Sequence, residues 1–179
     1  MRTGPSHKDI HAISALFKLA ILSCLIVMTN SQAADTQVVG WVENVKVYPG
    51  DIVVRAKLDT GAQTSSLDCH CITPEKKDGE EWVSFKITNH EGETVAVRRK
   101  VERVAIIKRH FGESQERMVI RLGVCLNNVY KEEEVTLVDR TGFNYGMLLG
   151  RNFLAGNFAV NPGATYTTKP NCPNVPQDQ

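Results

Sequence analysis

The chain has 179 residues, a formal net charge of +1, 42% hydrophobic and 23% charged residues. That is one domain's worth of chain with room for a single core, and no basic patch of the kind nucleic-acid binding requires. Arg98, Arg99, Lys100 and Arg103 do cluster, but acids surround them, as on a solvated strand edge.

Residues 1–33 read as an export signal. Arg2, Lys8 and Lys18 give a basic start, Leu19 to Met28 is an apolar run suited to a signal peptide and short for a membrane span, and Ser31 and Ala33 offer small residues for cleavage after Ala33. A periplasmic location follows as the expectation. An uncleaved anchor is one alternative. A lipoprotein site at Cys24 is another, although Leu25 to Met28 continue the apolar run past it. Four cysteines remain beyond the signal, Cys69, Cys71, Cys125 and Cys172. In an exported chain one or two disulfides are expected, with three full pairings open.

Period-two runs then follow one another. Ile52, Val54, Ala56 and Leu58 share one face of a strand over 52–58, and Val83, Phe85 and Ile87 share another over 82–87. Further strands are expected at 101–107, 117–122, 135–139 and 145–149. Turns separate them at Tyr48-Pro49-Gly50-Asp51, Asn89-His90-Glu91-Gly92, Phe111-Gly112-Glu113 and Asn127-Asn128. One short helix is expected at 151–155, closed by Gly156-Asn157. Many short strands with regular turns mean an all-β barrel or sandwich. The domain is taken as 34–162, and residues 163–179, rich in Thr, Pro and Asn, as a flexible tail.

Asp59-Thr60-Gly61-Ala62 ends the first apolar strand. A carboxylate at a strand mouth, followed by small residues that let a substrate backbone approach, suits an acid that activates water. Taken alone, the same four residues equally describe an aspartate capping a turn. The distant segment Met147-Leu148-Leu149-Gly150-Arg151-Asn152-Phe153-Leu154 adds specificity. An Asp-Thr-Gly-Ala strand end followed by Leu-Leu-Gly-Arg resembles the retropepsin (retroviral-type aspartic protease) fold, in which an apolar-apolar-Gly segment forms a ψ-shaped loop behind the catalytic turn.

The stretch from Gly40-Trp41 to Asn161-Pro162 also resembles a narrower bacterial family. These are the retropepsin-like aspartic endopeptidases formerly labelled ATP-dependent zinc proteases, sometimes encoded beside or fused to ATP-grasp ligases of the RimK type. The matching residues are Gly40-Trp41, Ala56 to Ala62, Thr64-Ser65, Trp82-Val83-x-Phe85, Glu116-Arg117-x-Val119-Ile120, Leu137-x-Asp139-Arg140 and Met147 to Arg151.

The resemblance implies an all-β, retropepsin-like closed barrel with one short C-terminal helix and an extra hairpin insertion. Counting back from Gly150 on that template gives strands at 129–138 and 115–125. It also gives a flap hairpin over 101–120 with its tip at residues 109–113, and an inserted hairpin within 72–100. It implies Asp59, Thr60 and Gly61 as catalytic residues, Ala62, His110, Phe111 and Gly112 as substrate contacts, and Leu148, Leu149, Gly150 and Arg151 as structural support. One Asp-Thr-Gly in a chain this size requires a C2 homodimer that brings two Asp59 carboxylates together, with the Thr60 hydroxyl bracing the opposite subunit. Retroviral enzymes carry a second Asp just beyond this turn that pairs with the Arg of Gly-Arg. Here Gln63 follows Ala62, which leaves the brace for Arg151 open.

Cys69-His70-Cys71 does not read as a zinc site. No His-Glu-x-x-His and no second Cys/His pair accompany it, and in an extended segment Cys69 and Cys71 face away from His70. Neither metal nor cofactor is expected. A cysteine of this segment is expected either to pair with Cys125 or Cys172 or to sit reduced in the core. The function implied is a periplasmic, homodimeric aspartic endopeptidase acting on peptide or protein. The competing reading is a peptide-binding or regulatory module of the same fold, acting with a membrane-protein or ATP-grasp-linked partner.

Overall fold

The computed structural model describes residues 35–107, 113–173, 175 and 176, and the backbone alone of residues 70–72. In chain order the described strands are β1 (Gln37–Tyr48), β2 (Ile52–Leu58), β3 (Ser65–Asp68), β4 (His70–Lys77), β5 (Glu80–Thr88), β6 (Thr94–Ile107), β7 (Gln115–Leu126), β8 (Val129–Val138), β9 (Met147–Leu149) and β10 (Phe158–Thr165). The helix α1 (Arg151–Leu154) lies between β9 and β10.

The strands are ordered β10-β1-β2-β9-β3-β8-β7-β6-β5-β4, and a further pairing of β1 with β7 closes the sheet on itself. Six strands, β1, β2, β9, β3, β8 and β7, therefore form a barrel. Closure leaves those six without an exposed edge. β10 is added to one side of β1, while β6, β5 and β4 continue outward from β7. Over the span in which a flap is expected, 101–120, β6 pairs antiparallel with β7, from Val101 opposite Ile120 to Ile107 opposite Gln115, and residues 109–112 of the expected tip lie outside the described residues. The extra hairpin expected within 72–100 is β4–β5, which pairs onward to β6. The fold is the retropepsin-like barrel that the sequence implies.

β2 shows why this sequence makes these strands. Its seven residues alternate without fault, with Ile52, Val54, Ala56 and Leu58 buried and Val53, Arg55 and Lys57 partly exposed. It pairs with β1 on one side and with β9 on the other. Inside the barrel its buried residues share one core with Leu67, Ile120, Leu122, Met147 and Leu149. Phe85, Ile87 and Val97 extend the core beneath the added strands. Each such side chain removed from water contributes about 1.5–3 kcal/mol.

The C-terminal segment departs from expectation. In place of a loose tail from Pro162, the chain continues β10 to Thr165 and is then held at three points. Glu43, fully buried in β1, accepts hydrogen bonds from the Thr167 N–H at 2.9 Å and the Thr168 N–H at 3.1 Å. Asn171 N–H donates to the Asn127 carbonyl at 2.6 Å. Cys172 forms a disulfide with Cys125 of β7. Composition misled here because Thr and Asn act as hydrogen-bonding partners for a buried carboxylate and a turn. The disulfide also settles the open pairing. Both distal cysteines are used by each other, and Cys69 stays reduced and buried. Burial, with the charge of Asp68 beside it, pushes the Cys69 thiol up to about 12, so it carries no thiolate.

Candidate active site

β2 delivers Asp59 to the end of the barrel. Its backbone N–H donates to the Leu149 carbonyl at 2.8 Å, continuing the ladder in which Leu58 stands opposite Leu149. The chain then turns, and the Asp59 carboxylate folds back over its own turn. Oδ1 accepts the N–H of Gly61 at 2.9 Å and of Ala62 at 3.2 Å. A Cβ added at Gly61 would stand 3.2 Å from Oδ1, which is why a residue without a side chain suits the position. Oδ2 is met by the Lys57 ammonium at 3.2 Å. Burial pushes the Asp59 carboxyl up. The Lys57 hydrogen bond and charge, with the two backbone donors, outweigh it and hold the group below its ordinary value of 3.8.

The segment expected to back this turn does so through backbone contacts. β9 is inserted between β2 and β3, parallel to the first and antiparallel to the second. Gly150 follows at the closest approach. A Cβ there would fall 2.6 Å from the Gln63 carbonyl oxygen and 2.9 Å from the Thr64 carbonyl carbon. The first N–H groups of α1 then donate to the turn, Arg151 to the Ala62 carbonyl at 2.9 Å and Asn152 to the Gln63 carbonyl at 3.1 Å. The Arg151 side chain completes the brace, with Nη1 donating to the Thr60 carbonyl at 3.0 Å and the Gly61 carbonyl at 2.7 Å. In place of the carboxylate that the resemblance leads one to expect, carbonyls of the Asp59 turn hold the arginine. Of the residues implied by resemblance, Asp59, Thr60, Gly61 and Ala62 are thus brought together with Leu149, Gly150 and Arg151. Leu148 lies alongside, opposite Lys57 and Ser66 in the strand register. His110, Phe111 and Gly112 lie outside the described residues.

A second tier of polar residues was given no role from the sequence. Buried Ser65 accepts the Gly150 N–H at 3.1 Å and donates to Glu133 Oε1 at 2.9 Å, while Thr136 Oγ1 donates to the Ser65 carbonyl at 3.2 Å. Lys131 Nζ donates to the Phe153 carbonyl at 2.7 Å, capping the end of α1. Arg140 ties the approach to β9 to β3. Its N–H donates to Asp68 Oδ1 at 2.7 Å, its Nε to the Tyr145 carbonyl at 3.0 Å and its Nη1 to Ser66 Oγ at 3.0 Å. Burial lowers the Arg140 pKa, against the opposing charges of Asp68 and Asp59. Thr64-Ser65 and Asp139-Arg140 are among the matched segments, but their partners lie about seventy residues away, and only strand register brings them together. Beside Asp59 opens a cavity of about 500 Å³ lined by Trp41, Lys57, Leu58, Asp59, Thr60, Val160 and Pro162.

Comparison with known proteins bears on this geometry. A family model described as RimB-like, the retropepsin-like aspartic endopeptidase RimB, matches residues 38–171. Curated relatives include proteins named probable alpha-L-glutamate ligase from Shewanella pealeana, 36% identical over 116 residues, and from Desulfotalea psychrophila, 36% identical over 112 residues. These matches take in 63% and 61% of this chain but 25% and 24% of theirs, so the chain spans about a quarter of the length of the curated relatives it matches. Among solved structures, a Legionella pneumophila protein of unknown function is 30% identical, with a TM-score of 0.63 over 76% of this chain and 100% of that one. The family match runs from before the Asp59 turn to beyond Arg151, and the chain belongs to the RimB-like family of retropepsin-like aspartic endopeptidases.

Proposed function

We propose that this chain is a periplasmic aspartic endopeptidase that hydrolyses peptide bonds with a dyad of two Asp59 carboxylates, one from each subunit of a C2 homodimer. The observation that carries the reading is the Asp59 turn itself. It is a carboxylate at a strand mouth, oriented by Gly61 and Ala62 N–H groups and backed by Gly150 and Arg151. In the dyad one carboxylate is ionised and takes a proton from water, whose oxygen attacks the scissile carbonyl carbon. The partner carboxyl gives its proton to the carbonyl oxygen. Collapse of the tetrahedral intermediate breaks the C–N bond, with a proton passing to the leaving nitrogen. Thr60 braces the opposite subunit, and the hairpin of β6 and β7 covers the peptide and excludes water.

The names of the ligase relatives bring peptides containing α-linked glutamate forward as substrates. The cations Lys57 and Arg140, both interacting with the Asp59 charge, support an acidic peptide in the cleft. The Cys125–Cys172 disulfide and the apolar run before Met28 support an oxidising, exported location.

Relatives in which this domain is a quarter of a ligase-named protein favour a second reading, a peptide-binding module acting with a membrane or ATP-grasp-linked partner. Cleavage of a glutamate-containing peptide library between pH 4 and 7 separates the two. Wild type is expected to cleave, and Asp59→Asn to lose at least a thousandfold in kcat/KM while keeping its circular dichroism spectrum. Sedimentation at micromolar concentration is expected to show a dimer. Binding of the library without cleavage by wild type would establish the module instead, and a strict monomer that cleaves would remove the dyad.

A further inference from the structure

Asp59 has a partner that the two-carboxylate mechanism does not use. Lys57 stands two residues before it on the outer face of β2, with its ammonium 3.2 Å from Oδ2. The two side chains are 42% and 24% exposed, so the pair is neither buried nor fully solvated. Other cations face the region from neighbouring elements. Arg151 on α1 is committed to the Thr60 and Gly61 carbonyls, and Arg140, between β8 and β9, to Ser66 and Tyr145. Arg117 on β7 bonds Gln115 and repels Arg140. Arg140 reaches Asp59 through its field. Lys57 alone among these cations donates a hydrogen bond to the carboxylate in the described structure.

Two carboxylates brought close together resist double ionisation, and ordinarily a shared proton relieves the repulsion. In a dimer of this chain each Asp59 would arrive with its own ammonium. We propose that Lys57 is a positioning residue that holds Asp59 ionised by supplying a built-in counter-charge, so that the dyad keeps one working carboxylate ionised at lower pH than a bare dyad would. This rests on the dyad reading above only in its kinetic consequence. The charge relation itself belongs to the single chain.

The sign follows from the pair. An ammonium at this distance favours the ionised carboxylate, so its removal raises proton affinity by about tenfold to a thousandfold, less where solvent screens the pair. The test uses the full chain and the variants Lys57→Met and Lys57→Arg. The position lies outside the core, and circular dichroism checks that each variant folds. Titration of the Asp59 carboxyl by ¹³C NMR is expected to show proton affinity more than twofold and up to about tenfold higher in Lys57→Met, and a value near wild type in Lys57→Arg. Lys57→Met titrating within twofold of wild type would overturn the proposal.

In peptide cleavage, the acid limb of the kcat/KM profile is expected to move up by about one pH unit in Lys57→Met and to return with Lys57→Arg. A profile that falls in height without moving would reduce Lys57 to a packing or binding role and would also overturn it. If wild type cleaves no peptide, the endopeptidase reading fails by that result, and the NMR titration still decides the role of Lys57.

Discussion

Two carboxylates inside this barrel are held in opposite senses. Glu43 is fully buried, yet burial is outweighed by five hydrogen bonds, from the Gly40 N–H, the Thr167 N–H and hydroxyl, and the Thr168 N–H and hydroxyl. The net effect holds its carboxyl below the ordinary 4.5. Glu133 is also buried. There burial prevails over the Ser65 hydrogen bond and the Lys131 charge, and its carboxyl sits above 4.5. The linkage signs therefore differ. Glu43 contributes stability that is present above its unfolded value near 4.5 and is lost as pH falls through its lower folded value. Glu133 costs stability as pH rises from 4.5 through its higher folded value. Glu43→Gln replaces one acceptor with an amide facing donors, and is expected to cost about 2–3 kcal/mol at pH 7. In urea unfolding followed from pH 7 to pH 3, that deficit should shrink as the acid end is approached. A deficit independent of pH would mean that Glu43 binds its proton equally well folded and unfolded.

Among the elements, β9 and the glycine after it have little tolerance. The strand is three residues long and threads between two others, and Gly150, which follows it, touches the backbone of the Asp59 turn. Gly150→Ala would place a methyl group 2.6 Å from the Gln63 carbonyl, and backbone on both sides leaves no flexible side chain to give way. An expected loss of about 1–3 kcal/mol follows from overpacking, and separation of β9 from the turn should reduce cleavage more than stability. Thermal unfolding and kcat/KM measured on one preparation check both.

The same element shows what was legible in the sequence. Met147-Leu148-Leu149-Gly150-Arg151 could be read because its chemistry is local, two apolar residues and a glycine before a helical turn. Ser65, Glu133 and Arg140 could not, because each gains its role from the register of β3 against β8 and β9. β1 was passed over for a different reason. Its buried residues Val39, Val42, Val45 and Val47 break strict alternation where the register shifts between Gly40 and Val42, and buried Glu43 occupies what reads as a polar position. β10, with Pro162-Gly163 inside it, exists because β1 offers it a parallel edge. β2, regular along its whole length, needed no such context.

At the scale of the whole molecule, the closed barrel with an inserted hairpin was expected from resemblance, whereas its fastening was not. β1 and β7 meet over three residue pairs only, Lys46 with Cys125, Val47 with Val124 and Tyr48 with Gly123. The segment after β10 runs from Thr167, bonded to Glu43 of β1, to Cys172, bonded to Cys125 of β7. The molecule is thus buckled, with the belt's own end passed across the place where the belt meets itself. Reduction is expected to cost about 2–4 kcal/mol and to act locally. Amide hydrogens of Val47 and Val124 should exchange at the global unfolding rate in the oxidised protein and much faster after reduction, while those of β5 change little. Uniform acceleration across the sheet would mean the bond stabilises the chain without guarding the closure. A barrel fastened in this way leaves, among the described residues, no loose end at its joint from which to unzip. In the oxidised protein opening is expected to begin in the outlying β4–β6 ribbon, and reduction to move the first point of failure to the buckle.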